Sequence, residues 1–214
     1  MTSVQDFDRL FAAMPLVAIL RGITPATAQG VDRALADAGI GLVEVPLNSP
    51  DALVTIQQFA TAAQNDSLIG AGTVLDVASL EAVAARGGRM AVAPNCDVAV
   101  IARAKALGLA CVPGVMTPTE AFAALRAGAD ALKLFPAELI SPAAVKAMRA
   151  VLPRQTRLIM VGGIAPADMA AYLAAGADGF GIGSSLYRPG DGAGEVAAKA
   201  RAFVEALAAA RRAV

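Results

Sequence analysis

Apolar runs with strand character recur eight times along the chain, at residues 17–22, 42–47, 68–74, 90–94, 110–115, 131–136, 157–163 and 179–185. Each is followed by a stretch whose apolar residues fall at helical spacing, as in Leu53, Ile56 and Phe59 or Ala121, Phe122 and Leu125. Runs that are apolar on both faces and separated by helices predict a parallel sheet covered by helices, not a set of hairpins. Helix starts are signalled by Thr24-Pro25, Ser49-Pro50, Thr117-Pro118 and Ser141-Pro142, each a capping oxygen just before a proline suited to the first helical position. Thr117 with Glu120 also has the spacing of a capping box. Gly39, Gly87, Gly108, Gly128 and Gly176 stand where helical patterns stop and a left-handed residue is wanted. The tetrapeptide Ala127-Gly128-Ala129-Asp130 returns as Ala175-Gly176-Ala177-Asp178 two βα units later.

Eight βα units in 214 residues predict a single (β/α)8 TIM barrel domain spanning residues 1–214. An open doubly wound sheet is disfavoured because the first βα turn carries no G-x-G-x-x-G fingerprint. The residues before Val17 are expected to form a short N-terminal helix that closes the floor of the barrel. A composition 57% hydrophobic and 17% charged supplies ample core. The formal net charge is zero without basic or acidic runs, so there is no electrostatic footprint for nucleic acid or an anionic membrane, and a small-molecule partner is favoured. Asp6, Asp8 and Arg9 fall where a signal peptide needs an apolar stretch, and no uncharged apolar run approaches the ~20 residues of a membrane span, so a cytoplasmic location is expected. Cys96 and Cys111 lack metal-ligand spacing and are expected to be free thiols. The chain has no histidine. That removes Ser-His-Asp and Cys-His catalysis and histidine metal sites, leaving carboxylate, lysine, tyrosine or a cofactor to move protons.

In a barrel of this type function gathers at the C-terminal ends of the strands. Four polar residues occupy strand positions there: Glu44 within Leu42-Val43-Glu44-Val45, Lys133 within Ala131-Leu132-Lys133-Leu134-Phe135, Arg21 at the end of 17–22, and Thr73 after Ile69-Gly70-Ala71-Gly72. Strand alternation sends the flanking valines and leucines out to the helices and both ionisable groups into the barrel. A buried ion pair without chemistry is one reading of Glu44 and Lys133. The other is a lysine pushed by burial and by Arg21 toward its neutral, nucleophilic form. Spacing alone does not separate a functional Thr73 from an ordinary strand-end β-former. Lys105 and Lys146 lie in helical patterns and are expected on the solvated surface. Two glycine-rich turns follow the last two strands, Val161-Gly162-Gly163 and Gly181-Ile182-Gly183-Ser184-Ser185. Barrels of this kind hold phosphate between these loops, because glycines let backbone N–H groups approach the oxygens; the plain alternative is that glycine only makes the turns tight.

The segments Ala18-Ile19-Leu20-Arg21-Gly22, Val43-Glu44-Val45-Pro46-Leu47-Asn48-Ser49-Pro50, Ile69-Gly70-Ala71-Gly72-Thr73-Val74, Ala131-Leu132-Lys133-Leu134-Phe135-Pro136 and Val161-Gly162-Gly163 resemble, in that order, the class I 2-keto-3-deoxy-6-phosphogluconate/6-phosphogalactonate aldolases. The phosphogluconate enzymes usually carry an arginine in the stretch that reads Leu47-Asn48-Ser49 here, so this motif is more similar to the phosphogalactonate branch. The resemblance implies that Lys133 forms a Schiff base with the C2 ketone, that Glu44 relays protons, and that Arg21 and Thr73 hold the substrate's carboxylate end. It also implies that Gly162, Gly163, Gly183 and Ser184 cradle the 6-phosphate, that no metal or organic cofactor is needed, and that the enzyme is a homotrimer. The partner it implies is a phosphorylated 2-keto-3-deoxy sugar acid: the 6-phosphogalactonate compound, its 6-phosphogluconate epimer, or 4-hydroxy-2-oxoglutarate as a shorter alternative. Two readings of other classes stay open on residues alone. One is a phosphosugar isomerase or epimerase with Glu44 as base and Lys133 as an electrostatic stabiliser; the other is a barrel that binds a phosphate ligand without chemistry.

Overall fold

Among the described residues nine strand segments, all parallel, run in chain order as β1 (Leu16–Ile19), β2 (Leu42–Pro46), β3 (Leu68–Gly72), β4 (Met90–Val92), β5 (Ala110–Val112), β6 (Gly114–Val115), β7 (Leu132–Leu134), β8 (Leu158–Val161) and β9 (Gly179–Ile182). The computed structural model describes residues 2–62 and 67–213. Between the strands lie α2 (Pro25–Asp37), α3 (Ala52–Ala62), α4 (Val77–Ala85), α5 (Val98–Ala106), α6 (Pro118–Ala127), α7 (Pro142–Val151), α8 (Met169–Ala174) and, after β9, α9 (Ala193–Ala213), with α1 (Ser3–Ala13) ahead of them all. The sheet order is β5-β4-β3-β2-β1-β9-β8-β7-β6. Its two ends, β5 and β6, are halves of one strand parted at Pro113, so the sheet returns on itself and the fold is the (β/α)8 barrel that the βα pattern predicts. Proline has no N–H to give the ladder. Its carbonyl still accepts from Lys133 N at 2.9 Å, which carries the pairing across the break.

Side chains divide into two cores by strand alternation. Val17, Ile19, Leu42, Leu68, Met90, Val112 and Ile159 fill the barrel, and Phe7, Leu10 and Phe11 of α1 join them from below. Leu16, Val43, Val45, Leu132, Leu134 and Met160 face outward and pack with helix residues such as Ile56, Val83 and Phe203. The floor helix is therefore present as expected. It starts with a Thr2/Gln5 capping box, and it is tied to the barrel by Asp6 with Arg89 at 2.5 Å and Asp8 with Arg157 at 2.6 Å. Arg157 also lies 5.7 Å from the centroids of Phe7 and Phe11. Among the described residues no helix is long and apolar enough to cross a membrane.

The helix signals hold at some positions and fail at others. Thr117 and Ser141 cap α6 and α7 as the Thr-Pro and Ser-Pro pairs predict, Thr117 within a full capping box. Thr24 precedes α2 without a side-chain cap bond. Ser49 caps nothing, because α3 begins only at Ala52; its Oγ accepts from Gly22 N at 2.9 Å and joins the β1 and β2 loops. Gly39, Gly87, Gly108, Gly128 and Gly176 all have positive φ. Cys96 and Cys111 are free.

The repeated tetrapeptide marks a repeated clamp. Asp130 Oδ2 accepts from Cys111 N at 2.8 Å and pairs with Lys105 at 2.7 Å; Asp178 Oδ2 accepts from Leu158 N at 2.8 Å and pairs with Arg149 at 2.5 Å. In both units the cation comes from the helix before the strand being held and passes over the glycine, whose missing Cβ would stand 3.1 Å from Lys105 Cγ at Gly128 and 3.2 Å from Arg149 Cγ at Gly176. Lys105 is thus a half-buried structural cation and not the solvated surface residue expected from its helical position.

Candidate active site

Glu44 sits in the third position of β2 and Lys133 in the middle of β7, and the alternation that hides their neighbours among the helices turns both side chains into the barrel. They are buried, at 1% and 6% exposure. Glu44 has room because β3 supplies glycine beside it. A Cβ at Gly72 would lie 1.8 Å from Glu44 Oε2, so the carboxyl group occupies the space a side chain there would need. Its Oε2 is fully enclosed and makes no hydrogen bond within the described residues. Desolvation dominates, pushing the Glu44 carboxyl up from an ordinary 4.5 to about 7 against the opposing fields of Lys133 and Arg21. Lys133 moves the other way. Burial lowers its pKa, the Glu44 carboxylate offsets part of that, and Arg21 adds to the lowering. The Lys133 ammonium lies 4.8 Å from the centroid of the Phe135 ring, two residues along the same strand face.

Lys133 opens into a cavity of about 540 Å3 at the C-terminal ends of the strands. Arg21, Thr73, Gly162, Gly163, Gly183 and Ser184 all line it with Lys133, while Glu44 is enclosed inside the barrel and is not among the lining residues. Arg21 stands beyond the end of β1 in a turn, not within the strand, and its Nη1 donates to Asn48 Oδ1 at 2.7 Å. Asn48 and Ser49 thereby buttress the β1 loop from the β2 loop. Thr73 follows β3 with φ of 57°, a left-handed conformation that a β-branched residue adopts only under constraint, at a cost on the order of 1–3 kcal/mol. Gly162 and Gly163 have φ of 115° and 60°, values that glycine takes without steric cost.

Sequence reading missed four groups that also line this cavity: Asn48, Phe135, Glu138 and Arg188. Phe135 was within reach of the alternation rule, since it follows Lys133 by two residues. Glu138 lies in a short 3-10 turn (Ala137–Leu139) after β7 and folds over the first glycine loop; a Cβ at Gly162 would stand 2.3 Å from Glu138 Oε2 and one at Gly163 2.8 Å from Oε1. Arg188 follows β9, and its Nε donates to the Ser184 carbonyl at 3.1 Å. A buried amine held toward its neutral form, a buried carboxyl poised near neutrality and a glycine-lined far end can together bind a ketone covalently, shuttle protons and hold an anion.

A family model for KDPG and KHG aldolases matches residues 8–195. The chain is 48% identical over 192 residues to the probable 2-dehydro-3-deoxy-6-phosphogalactonate aldolase of Rhizobium meliloti, covering 90% of this chain and 91% of the relative. It is 46% identical over 193 residues to the 2-dehydro-3-deoxy-6-phosphogalactonate aldolase of Escherichia coli K12, at 90% and 94% coverage. It is 32% identical over 171 residues to the 2-dehydro-3-deoxy-phosphogluconate aldolase of Zymomonas mobilis, at 79% and 81% coverage. Among solved structures, native KDPGal superposes with a TM-score of 0.91 at 45% identity, over 93% of this chain and 97% of that one. A chain of a cube-shaped cage designed by fusing symmetric oligomeric domains gives 0.91 at 44% identity, over 94% and 74%. KDPG aldolase from Legionella pneumophila, holding pyruvate as a covalent carbinolamine, gives 0.75 at 26% identity, over 94% and 96%. The chain belongs to the KDPG and KHG aldolase family.

Proposed function

We propose that this protein, as one barrel domain over residues 1–214, is a class I aldolase that cleaves 2-dehydro-3-deoxy-6-phosphogalactonate to pyruvate and D-glyceraldehyde 3-phosphate. The observation that carries the reading is the pair of buried, oppositely shifted groups, Lys133, which lines the cavity, and Glu44, enclosed within the barrel and electrostatically coupled to it. The neutral Lys133 amine attacks the C2 ketone, and the carbinolamine loses water to give an iminium. Glu44, as carboxylate, takes the C4 hydroxyl proton directly or through that water. The C3–C4 bond then breaks, its electrons pass into the iminium as an enamine, and the aldehyde leaves. Glu44 returns the proton to C3, and water hydrolyses the resulting imine to free pyruvate. A carboxyl with a pKa of about 7 can both accept and return that proton near neutral pH.

Arg21, held by Asn48, and the constrained Thr73 take the carboxylate end of the substrate, while Gly162, Gly163, Gly183 and Ser184 take the phosphate. The iminium is itself the electron sink, so the mechanism needs no metal or organic cofactor. Preference for the galactonate epimer is supported by the names of the two relatives at 48% and 46% identity, against 32% for the phosphogluconate enzyme. The symmetric oligomeric cage component supports an oligomer, and a homotrimer is the form proposed. A phosphorylated sugar acid does not cross membranes unaided, which supports a cytoplasmic location for the reaction. Pyruvate release from the two C4 epimers tests the substrate assignment. A kcat/KM at least tenfold higher for the galactonate compound is expected, and an equal or reversed preference would contradict it.

A further inference from the structure

We infer that Arg188 is the cation that recognises the substrate's terminal phosphate; this rests on the proposed aldolase reading and extends its phosphate end. The glycine loops supply backbone N–H groups but no charge. Among the described residues the cations lining the cavity are Arg21, Lys133 and Arg188. Arg21, steadied by Asn48, is assigned to the substrate's carboxylate end, and Lys133 sits at the covalent centre. The far end also holds an anion, because Glu138 lies over the Gly162–Gly163 turn. A phosphate settling there meets a carboxylate of its own sign, and neutral amides alone would have to overcome that repulsion.

Arg188 is built to offset it. Its Nε bonds to the Ser184 carbonyl, which sets the guanidinium against the Gly183-Ser184-Ser185 loop itself. Its backbone is held from the other side: Arg188 N donates to Asp191 Oδ2 at 2.8 Å, and Lys199 Nζ of α9 pairs with that same oxygen at 2.6 Å. Lys199 thereby balances the Asp191 charge and leaves the guanidinium charge for a ligand. Pro189 packs onto Gly22, where an added Cβ would lie 2.6 Å from Pro189 Cγ, so the segment is braced against the β1 loop as well. With Nε occupied, the two terminal nitrogens keep the planar fork that binds phosphate oxygens in pairs.

The test compares wild type, Arg188→Ala and Arg188→Lys on the 6-phosphorylated substrate and on the same acid without its phosphate, at two ionic strengths. Loss of one charge-assisted contact is expected to raise KM for the phosphorylated substrate about ten- to a hundredfold in Arg188→Ala. That penalty should exceed the penalty on the unphosphorylated acid by at least tenfold and shrink with added salt, and Arg188→Lys should recover part of it. Equal losses on both substrates, or no loss on the phosphorylated one, would overturn the assignment. Folding and chemistry are checked by reductive trapping of pyruvate on each variant. Wild-type protein that traps no pyruvate would overturn the aldolase reading beneath the inference, whereas normal trapping with an unselective Arg188→Ala loss would overturn the Arg188 role alone.

Discussion

A carboxyl group enclosed by apolar walls and opposite a glycine keeps its proton longer than one in water, and Glu44 shows what that does to both chemistry and stability. Its folded pKa, about 7, lies above the unfolded value of 4.5. Between those values the folded protein holds a proton that the unfolded chain has released. The stability associated with this group is therefore fully present below about pH 4.5 and is lost as pH rises through about 7, a total of about 3 kcal/mol. Glu44→Gln removes the titration, so its unfolding free energy relative to wild type should rise by on the order of 1–3 kcal/mol between pH 5 and pH 8; parallel stability curves would remove the shift. The same variant should still form the imine while cleavage slows by about a hundredfold or more, read by single-turnover kinetics. Glu44 and Lys133 were legible in the sequence because each interrupts an apolar strand at an inward position. The left-handed backbone of Thr73 and the fold of Glu138 over Gly162 were not, since both depend on contacts between segments distant in the chain.

At the scale of elements, the barrel is held by devices that recur. Asp130 and Asp178 each satisfy a strand amide and a cation from the helix before that strand, and the repeat of Ala-Gly-Ala-Asp was visible in the sequence while its purpose was not. The clamp requires a lysine 25 residues before Asp130 and an arginine 29 before Asp178, spacings with no local signature. Asp130→Ala should cost about 1–3 kcal/mol by urea unfolding, because a buried amide and a half-buried ammonium lose their partner together. The loss should exceed that of Asp178→Ala, as the Asp130 side chain is 11% exposed and that of Asp178 42%. Equal, negligible losses would reduce both motifs to surface pairs. Capping prolines were read correctly before α6 and α7. At Ser49-Pro50 the pair was misread, because the hydroxyl there serves the β1 loop instead of a helix.

For the whole molecule, barrel closure was inferred from the count of βα units, and the structure adds how it happens, through one strand bent at Pro113 that pairs with β4 on one side and β7 on the other. Closure brings Arg21, Thr73, Lys133, the two glycine loops and Arg188 to one rim, with Glu44 enclosed inside the barrel near Lys133, although they are spread over most of the chain. The central claim is that this rim works through a covalent bond at Lys133. Incubation with pyruvate and borohydride, followed by intact mass and peptide mapping, tests it most directly. The account predicts one reduced pyruvate adduct per chain, carried on Lys133 and absent from Lys133→Ala. Folded wild-type protein without an adduct, or with the adduct on another lysine, would contradict it.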